Sequence, residues 1–136
     1  HTRDDFARAV MEGITFSLNE SVELFRAAGK MVSRIVSIGG GAKNPVWLQM
    51  QADVFRAEVT AMQNEQGPGM GAAMLAAVGC GWFGTLRECA EAFLSYGAVY
   101  EPDQAAADRY AELFAAYKDV YAATRGLNER LAVFRA

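Results

Sequence analysis

The sequence predicts an α/β domain, rich in helix and built on a short parallel β pair. Three observations carry this. Residues 34–38 are apolar and β-branched at their centre and read as a buried strand. Gly39, Gly40 and Gly41 close that run, and Asn44 with Pro45 then opens a helix, as an N-cap followed by a proline preset for the first helical position. A second short strand, residues 58–62, follows that helix. Strand, helix, strand with short joints implies a parallel pair with a right-handed crossover.

The remaining elements follow from local chemistry. Thr2 and Asp5 form an N-cap with an acid three residues on. After them Phe6, Val10, Ile14, Leu18 and Val22 recur every fourth residue, Phe25 extends the stripe, and Gly29 is a stop. This predicts a long amphipathic helix with that stripe as its buried face. The helix over 44–55 is expected to bury Leu48, Ala52 and Phe55. A polar loop, 63–68, leads to a helix over 69–79 that is small and apolar all round, which predicts burial against other backbone. Gly71 inside it calls for a packing or ligand reason, since helical glycine costs about 1 kcal/mol. Thr85 and Glu88 suggest a capping box for a helix burying Leu86, Cys89, Phe93 and Leu94, and residues 97–100 read as extended. A last helix starts near Asp103. Its stripe, Tyr110, Leu113, Tyr117, Val120, Thr124, Leu127, Leu131 and Phe134, alternates by three and four. Such a stripe suits a coiled-coil seam or a helix lying across its own core. Gly126 interrupts it and Phe114 and Tyr121 widen it, which favours the second.

Composition bounds the function. The chain has 136 residues, is 52% hydrophobic and carries a net charge of −3, as expected of one globular domain. No Lys/Arg cluster points to nucleic acid or an anionic membrane. No apolar run approaches the roughly 20 residues needed to span a bilayer, and the start is charged rather than leader-like. Cys80 and Cys89 have no metal or redox spacing and read as small buried hydrophobes of a reducing, cytoplasmic protein. His1 is the only histidine, which argues against histidine-based catalysis within the chain.

The chemistry concentrates in the glycine-rich turns. Bare backbone at a strand end lets a ligand approach, and a helix N-terminus suits phosphate. A tight strand-to-helix turn without a ligand explains the same residues. The chain lacks the Gly-Lys-Ser/Thr of a Walker A loop and the third glycine of a dinucleotide fingerprint, and Glu65 is only a loose candidate for a ribose-binding acid. Asn44 could read a purine or ribose edge through its amide. The segment 67–73 places a second bare helix start at the end of the neighbouring strand, so the two turns could frame one slot for a flat, phosphorylated molecule. Glu12 and Asp53 read as solvated or capping groups, and no nucleophile stands out.

At these residues the chain resembles the C-terminal domain of the FGGY carbohydrate kinases. Residues 5–14, Asp-Phe-Ala-Arg-Ala-Val-Met-Glu-Gly-Ile, are similar to the second half of that family's C-terminal signature. Residues 39–47, Gly-Gly-Gly-Ala-Lys-Asn-Pro-Val-Trp, resemble its adenosine-binding turn, residues 49–55 the helix after it, and residues 67–73 a further glycine-rich helix start. The tail with Tyr110, Phe114, Tyr117 and Tyr121 is most similar to the xylulokinases of the family.

The resemblance implies a ribonuclease-H-like, actin-like ATPase fold. It implies that Gly40 and Asn44 contact the nucleotide, with Gly39, Gly41 and Ala42 shaping the turn. It implies ATP with Mg2+ as phosphoryl donor and a pentulose, D-xylulose, as acceptor. Residues 1–136 are then expected to be the C-terminal part of the ATP-binding domain, truncated on its N-terminal side. The family's aspartate base, its sugar-binding residues and the domain's first strands would precede residue 1, so no catalytic residue is carried over. The isolated chain is expected to be inactive and to self-associate as a homodimer through an open strand edge at 34–38 and exposed apolar helix faces. A non-catalytic nucleotide-binding or assembly module, a kinase for a different sugar of the same family and an NAD-dependent fragment are the competing readings.

Overall fold

The computed structural model describes residues 1–64 and 67–134. Its elements are α1 (Arg3–Ala27), β1 (Arg34–Ser37), a 3-10 turn (Gly40–Lys43), α2 (Pro45–Phe55), β2 (Glu58–Met62), α3 (Pro68–Gly79), α4 (Leu86–Phe93), β3 (Tyr96–Tyr100) and α5 (Gln104–Ala132). The expected parallel pair is present, with Arg34 opposite Glu58 and Ser37 opposite Ala61. The sheet has a third strand as well. β3 pairs antiparallel to β2, so the order is β1-β2-β3 with β2 central. The sequence marked 97–100 only as extended, because five residues with an interior glycine carry little apolar alternation. Gly97 suits the close approach there: a Cβ would stand 3.3 Å from the Ala61 carbonyl oxygen, where the ladder is irregular. Arg34 ties the three strands together, pairing with Glu58 at 3.1 Å and lying over the Tyr96 ring at 5.2 Å.

The helix ends obey their local signals. Thr2 and Asp5 form a reciprocal capping box. At the other end of α1, Gly29 has a φ of 74°, and the Lys30 N–H reaches back to the Phe25 carbonyl at 3.0 Å, closing the helix as a Schellman motif does. Thr85 caps α4 by accepting from the Glu88 N–H, but the Glu88 carboxylate accepts from Gly84 instead of closing a box on Thr85.

Burial corrects the α1 expectation. Phe6, Val10, Ile14, Leu18 and Phe25 are exposed, and Thr15, Phe16 and Asn19 are the buried residues. A strict four-residue step advances about 40° around a helix each time, so that ridge winds off any single face. Of the stripe only Val22 packs against the core, and Met11 and Phe16 join it there. Phe16 packs against three rings of α5, with centroids 6.1 Å from Tyr110, 5.8 Å from Phe114 and 5.4 Å from Tyr117. The first half of α5 therefore lies across the chain's own core, as favoured. Leu113 is exposed even in that half, and from Val120 to Phe134 the stripe leaves the core, with Val120, Leu127, Leu131 and Phe134 exposed.

Two further expectations fail. α3 is not buried all round: Ala77 is its only buried residue, Leu75 is exposed, and a Cβ on Gly71 would meet nothing within 4 Å. Within α4, Cys89 is fully buried but Leu86 is exposed, and Cys80 is exposed rather than a core hydrophobe. Helix α3 has apolar surface but no polar face to set its orientation, and its contacts are mainly with α4.

These contacts set a contrast that mutation measures. Phe16→Ala should cost about 3–5 kcal/mol in chemical denaturation, as loss of a buried aromatic ring does. Phe6→Ala, at an exposed position of the same helix, should stay within about 0.5 kcal/mol.

Candidate nucleotide-contacting site

The parallel strands β1 and β2 run the same way, so the turns that follow them open on one edge of the sheet. After β1 the chain passes Ile38 and enters Gly39, whose φ of 86° is open to glycine at little cost. The 3-10 turn closes by hydrogen bonds from the Ala42 N–H to the Gly39 carbonyl and from the Asn44 N–H to the Gly41 carbonyl, both 3.1 Å. Asn44 then caps α2. Its Oδ1 accepts from the N–H groups of Val46 at 3.0 Å and Trp47 at 3.3 Å, and Pro45 has no N–H to satisfy.

That cap changes the chemistry expected of the turn. The N–H groups of the first turn of α2 are largely engaged by Asn44, so they are poorly placed to cradle a phosphate. With Oδ1 committed to the cap, the Asn44 Nδ2 hydrogens are the part of the side chain that can donate to a purine or ribose acceptor. Helix α3 differs: its N-cap is Gly67, with no side-chain cap.

The glycines divide by role. Gly40 is exposed, and a Cβ on it would meet nothing within 4 Å. A Cβ on Gly41 would stand 2.7 Å from Cζ3 of Trp47, so Gly41 lacks a side chain to fit protein rather than ligand. Ala42 is half-buried and packs on the core. Beneath the turn, the Trp47 indole N–H donates to Thr15 Oγ1 at 2.9 Å, and the Thr15 hydroxyl donates to the Met11 carbonyl at 2.7 Å.

Gly39, Gly40, Gly41, Ala42 and Asn44 thus form one continuous turn, but they do not line one cavity. Asn44 lines a cleft of about 760 Å³ with Pro45, Val46 and Gln49 on one side and Asp4 and Arg8 on the other. The second glycine-rich turn lines a separate cleft of about 220 Å³, with Gly67 and Gly71 beside Ile38, Met62 and Met74. The two turns share a sheet edge without framing the single slot expected of them. Glu65 lies outside the described residues. Glu12 and Asp53 have structural partners. Buried Asp53 accepts from Gln49 Nε2 and from the Asp103 N–H, both at 2.8 Å, which ties the start of α5 to α2. Glu12 pairs with Arg8 at 2.9 Å.

The sequence reading missed two features of this wall. Thr15 and Trp47 are one. The other is Tyr110, whose hydroxyl accepts from Arg8 Nη2 at 2.9 Å and donates to Glu12 at 3.3 Å. A lone threonine on the inner face of α1 and a tyrosine at the start of the α5 stripe were the only signals. Among the described residues, no three His, Cys, Asp or Glu side chains gather to hold a metal, and no helix is long and apolar enough to cross a membrane.

The parallel β pair, the glycine turn at the end of its first strand and the capped helix that follows place the chain in the α/β class. The chain belongs to the FGGY family of carbohydrate kinases: the profile of that family's C-terminal domain matches residues 1–80, from α1 to the end of α3. The xylulose kinase of Bacillus subtilis (strain 168) is 58% identical over 135 residues, covering 99% of this chain and 27% of that protein. Among solved structures, a xylulose kinase from Rhodospirillum rubrum superposes with a TM-score of 0.81 at 28% identity, over 93% of this chain and 26% of that one. A gluconate kinase from Lactobacillus acidophilus gives 0.80 at 30% identity, over 91% and 25%. The chain therefore spans about a quarter of the length of the relatives it matches.

Burial raises the Tyr110 hydroxyl pKa above the usual tyrosine value of about 10, and the Arg8 hydrogen bond opposes that rise. With the folded value above the unfolded one, the contribution is intact below about pH 10 and is lost as pH rises through the folded value. Urea midpoints should fall as pH rises above about 10, and the fall should be smaller in Tyr110→Phe.

Proposed function

We propose that this chain is the adenosine-side part of an ATP-dependent carbohydrate kinase of the xylulokinase kind. The observation that carries the reading is the 39–44 turn: an exposed Gly40 without a Cβ, beside an Asn44 side chain whose oxygen is locked into capping α2. An adenosine laid on this turn would meet bare backbone at Gly40 and an amide donor at Asn44, with Gly39, Gly41 and Ala42 setting the shape.

In the longer protein, a hydroxyl oxygen of D-xylulose would attack the γ-phosphorus of ATP. The bond to the β-phosphate bridging oxygen would break, ADP would leave, and the hydroxyl proton would pass to a carboxylate base. Mg2+ would neutralise charge on the phosphates. The base and the sugar pocket would lie outside these residues. The acceptor rests on the Bacillus subtilis relative, 58% identical; the gluconate kinase neighbour, 30% identical with a TM-score of 0.80, supports a second reading with another sugar of the same family.

Titration of the 15N-labelled chain with ATP tests the site. The amides of Gly40, Gly41 and Asn44 should shift first. Shifts confined to α5, or tighter binding of NAD, would count against it. The purified chain should also give no ATP-dependent phosphorylation of D-xylulose in a coupled assay, and measurable turnover would contradict the division of labour proposed here.

A further inference from the structure

Three contacts converge on Trp47, each from a different direction. Its indole N–H donates to Thr15 on α1. The opposite edge of the ring, at Cζ3 and Cε3, is where a Cβ of Gly41 would stand, at 2.7 and 2.9 Å. Its backbone N–H donates to the Asn44 side chain. The indole therefore spans the gap between α1 and the glycine turn, its N–H bonded to Thr15 and its far edge filling the space a Gly41 side chain would need. Turning the ring over would break the bond to Thr15 and push a different edge under Gly41. Thr15 itself is fully buried, and its proton is committed to the Met11 carbonyl, so its oxygen accepts from the indole within a satisfied pair of bonds.

We infer that Trp47 and Thr15 are positioning residues for the 39–44 turn. Thr15 fixes the indole, the indole forms the floor on which Gly41 rests, and the floor fixes how Gly40 and Asn44 are presented. The inference rests on the reading of this turn as adenosine-contacting for its effect on ATP, and not for its effect on the turn itself. Gly41 then has a defined reason to be glycine, distinct from that of Gly40: any side chain at 41 would lift the turn off its floor, whereas position 40 has room.

The test is Thr15→Val, which keeps shape and removes the acceptor, with Thr15→Ser as the conservative variant. Trp47→Phe, which keeps a ring and removes the donor, serves if the valine variant does not fold. The 15N spectrum is read without ligand and during ATP titration. Thr15→Val should move the Trp47 indole N–H signal together with the Gly40, Gly41 and Asn44 amides, and should weaken ATP binding about fivefold, as loss of one hydrogen bond does. Thr15→Ser should return both to the parent values. If the indole signal moves while the turn amides and ATP affinity stay at parent values, the inference is overturned. If the parent chain binds no ATP, the adenosine reading fails instead, and the ligand-free amides still decide whether Thr15 and Trp47 set the turn.

Discussion

Everything else in this structure leans on α2 being buried on almost every side. Leu48 and the whole run from Met50 to Phe55 are buried, polar Gln51 and Asp53 included. One short helix packs against α1, α5, β2 and β3. A helix so enclosed cannot rotate to satisfy one neighbour without losing another, so its orientation is fixed collectively. Its polar groups share in this. Gln49 donates to both Asp53 and the Glu101 carbonyl, which clips the segment between β3 and α5 onto the helix. At its far end Arg56 takes a left-handed conformation, with a φ of 50°, and pairs with Asp108 of α5 at 2.6 Å.

This constraint separates the two glycine-rich turns. The first is welded to α2: Asn44 caps the helix, Trp47 on its first turn supports Gly41, and Thr15 locks Trp47 to α1. A ligand meeting Gly40 and Asn44 would find them already in place, which lowers the ordering cost of binding. The second turn leads into α3, whose contacts within the chain are mainly with α4 and whose outer surface of small residues is exposed. The chain thus has a densely packed half around α2 and a sparsely packed half around α3, and the adenosine-side reading falls on the dense one.

What could be read from the sequence was what local chemistry decides. The Thr2–Asp5 box, the Gly29 stop, the Asn44–Pro45 helix start and β2 itself depend on residues within a few positions of one another, and all four appear. What failed depends on tertiary partners. Phe6, Val10 and Ile14 form a regular ridge, yet which face of α1 is buried is decided by α2 and α5. Helix α3 is apolar throughout, so its sequence carries no sign of orientation, and its exposure reflects what packs on it. The pairing of β3 needed knowledge that β2 had a free side. Within the candidate site the five turn residues were legible as a contiguous motif. The bond from Trp47 to Thr15, across 32 positions, was not, and it is what gives Gly41 a role different from that of Gly40.

Native-state hydrogen exchange tests the central place of α2 most directly. Amides from Leu48 to Phe55 and those of β2 should exchange slowest, at a rate set by global unfolding, while α3 and the α5 segment beyond Val120 should exchange much faster through local opening. The Val46 and Trp47 amides, bonded to Asn44, should follow α2 rather than the loops. Exchange in α2 as fast as in α3 would contradict the account, because the turn would then have no rigid base to stand on.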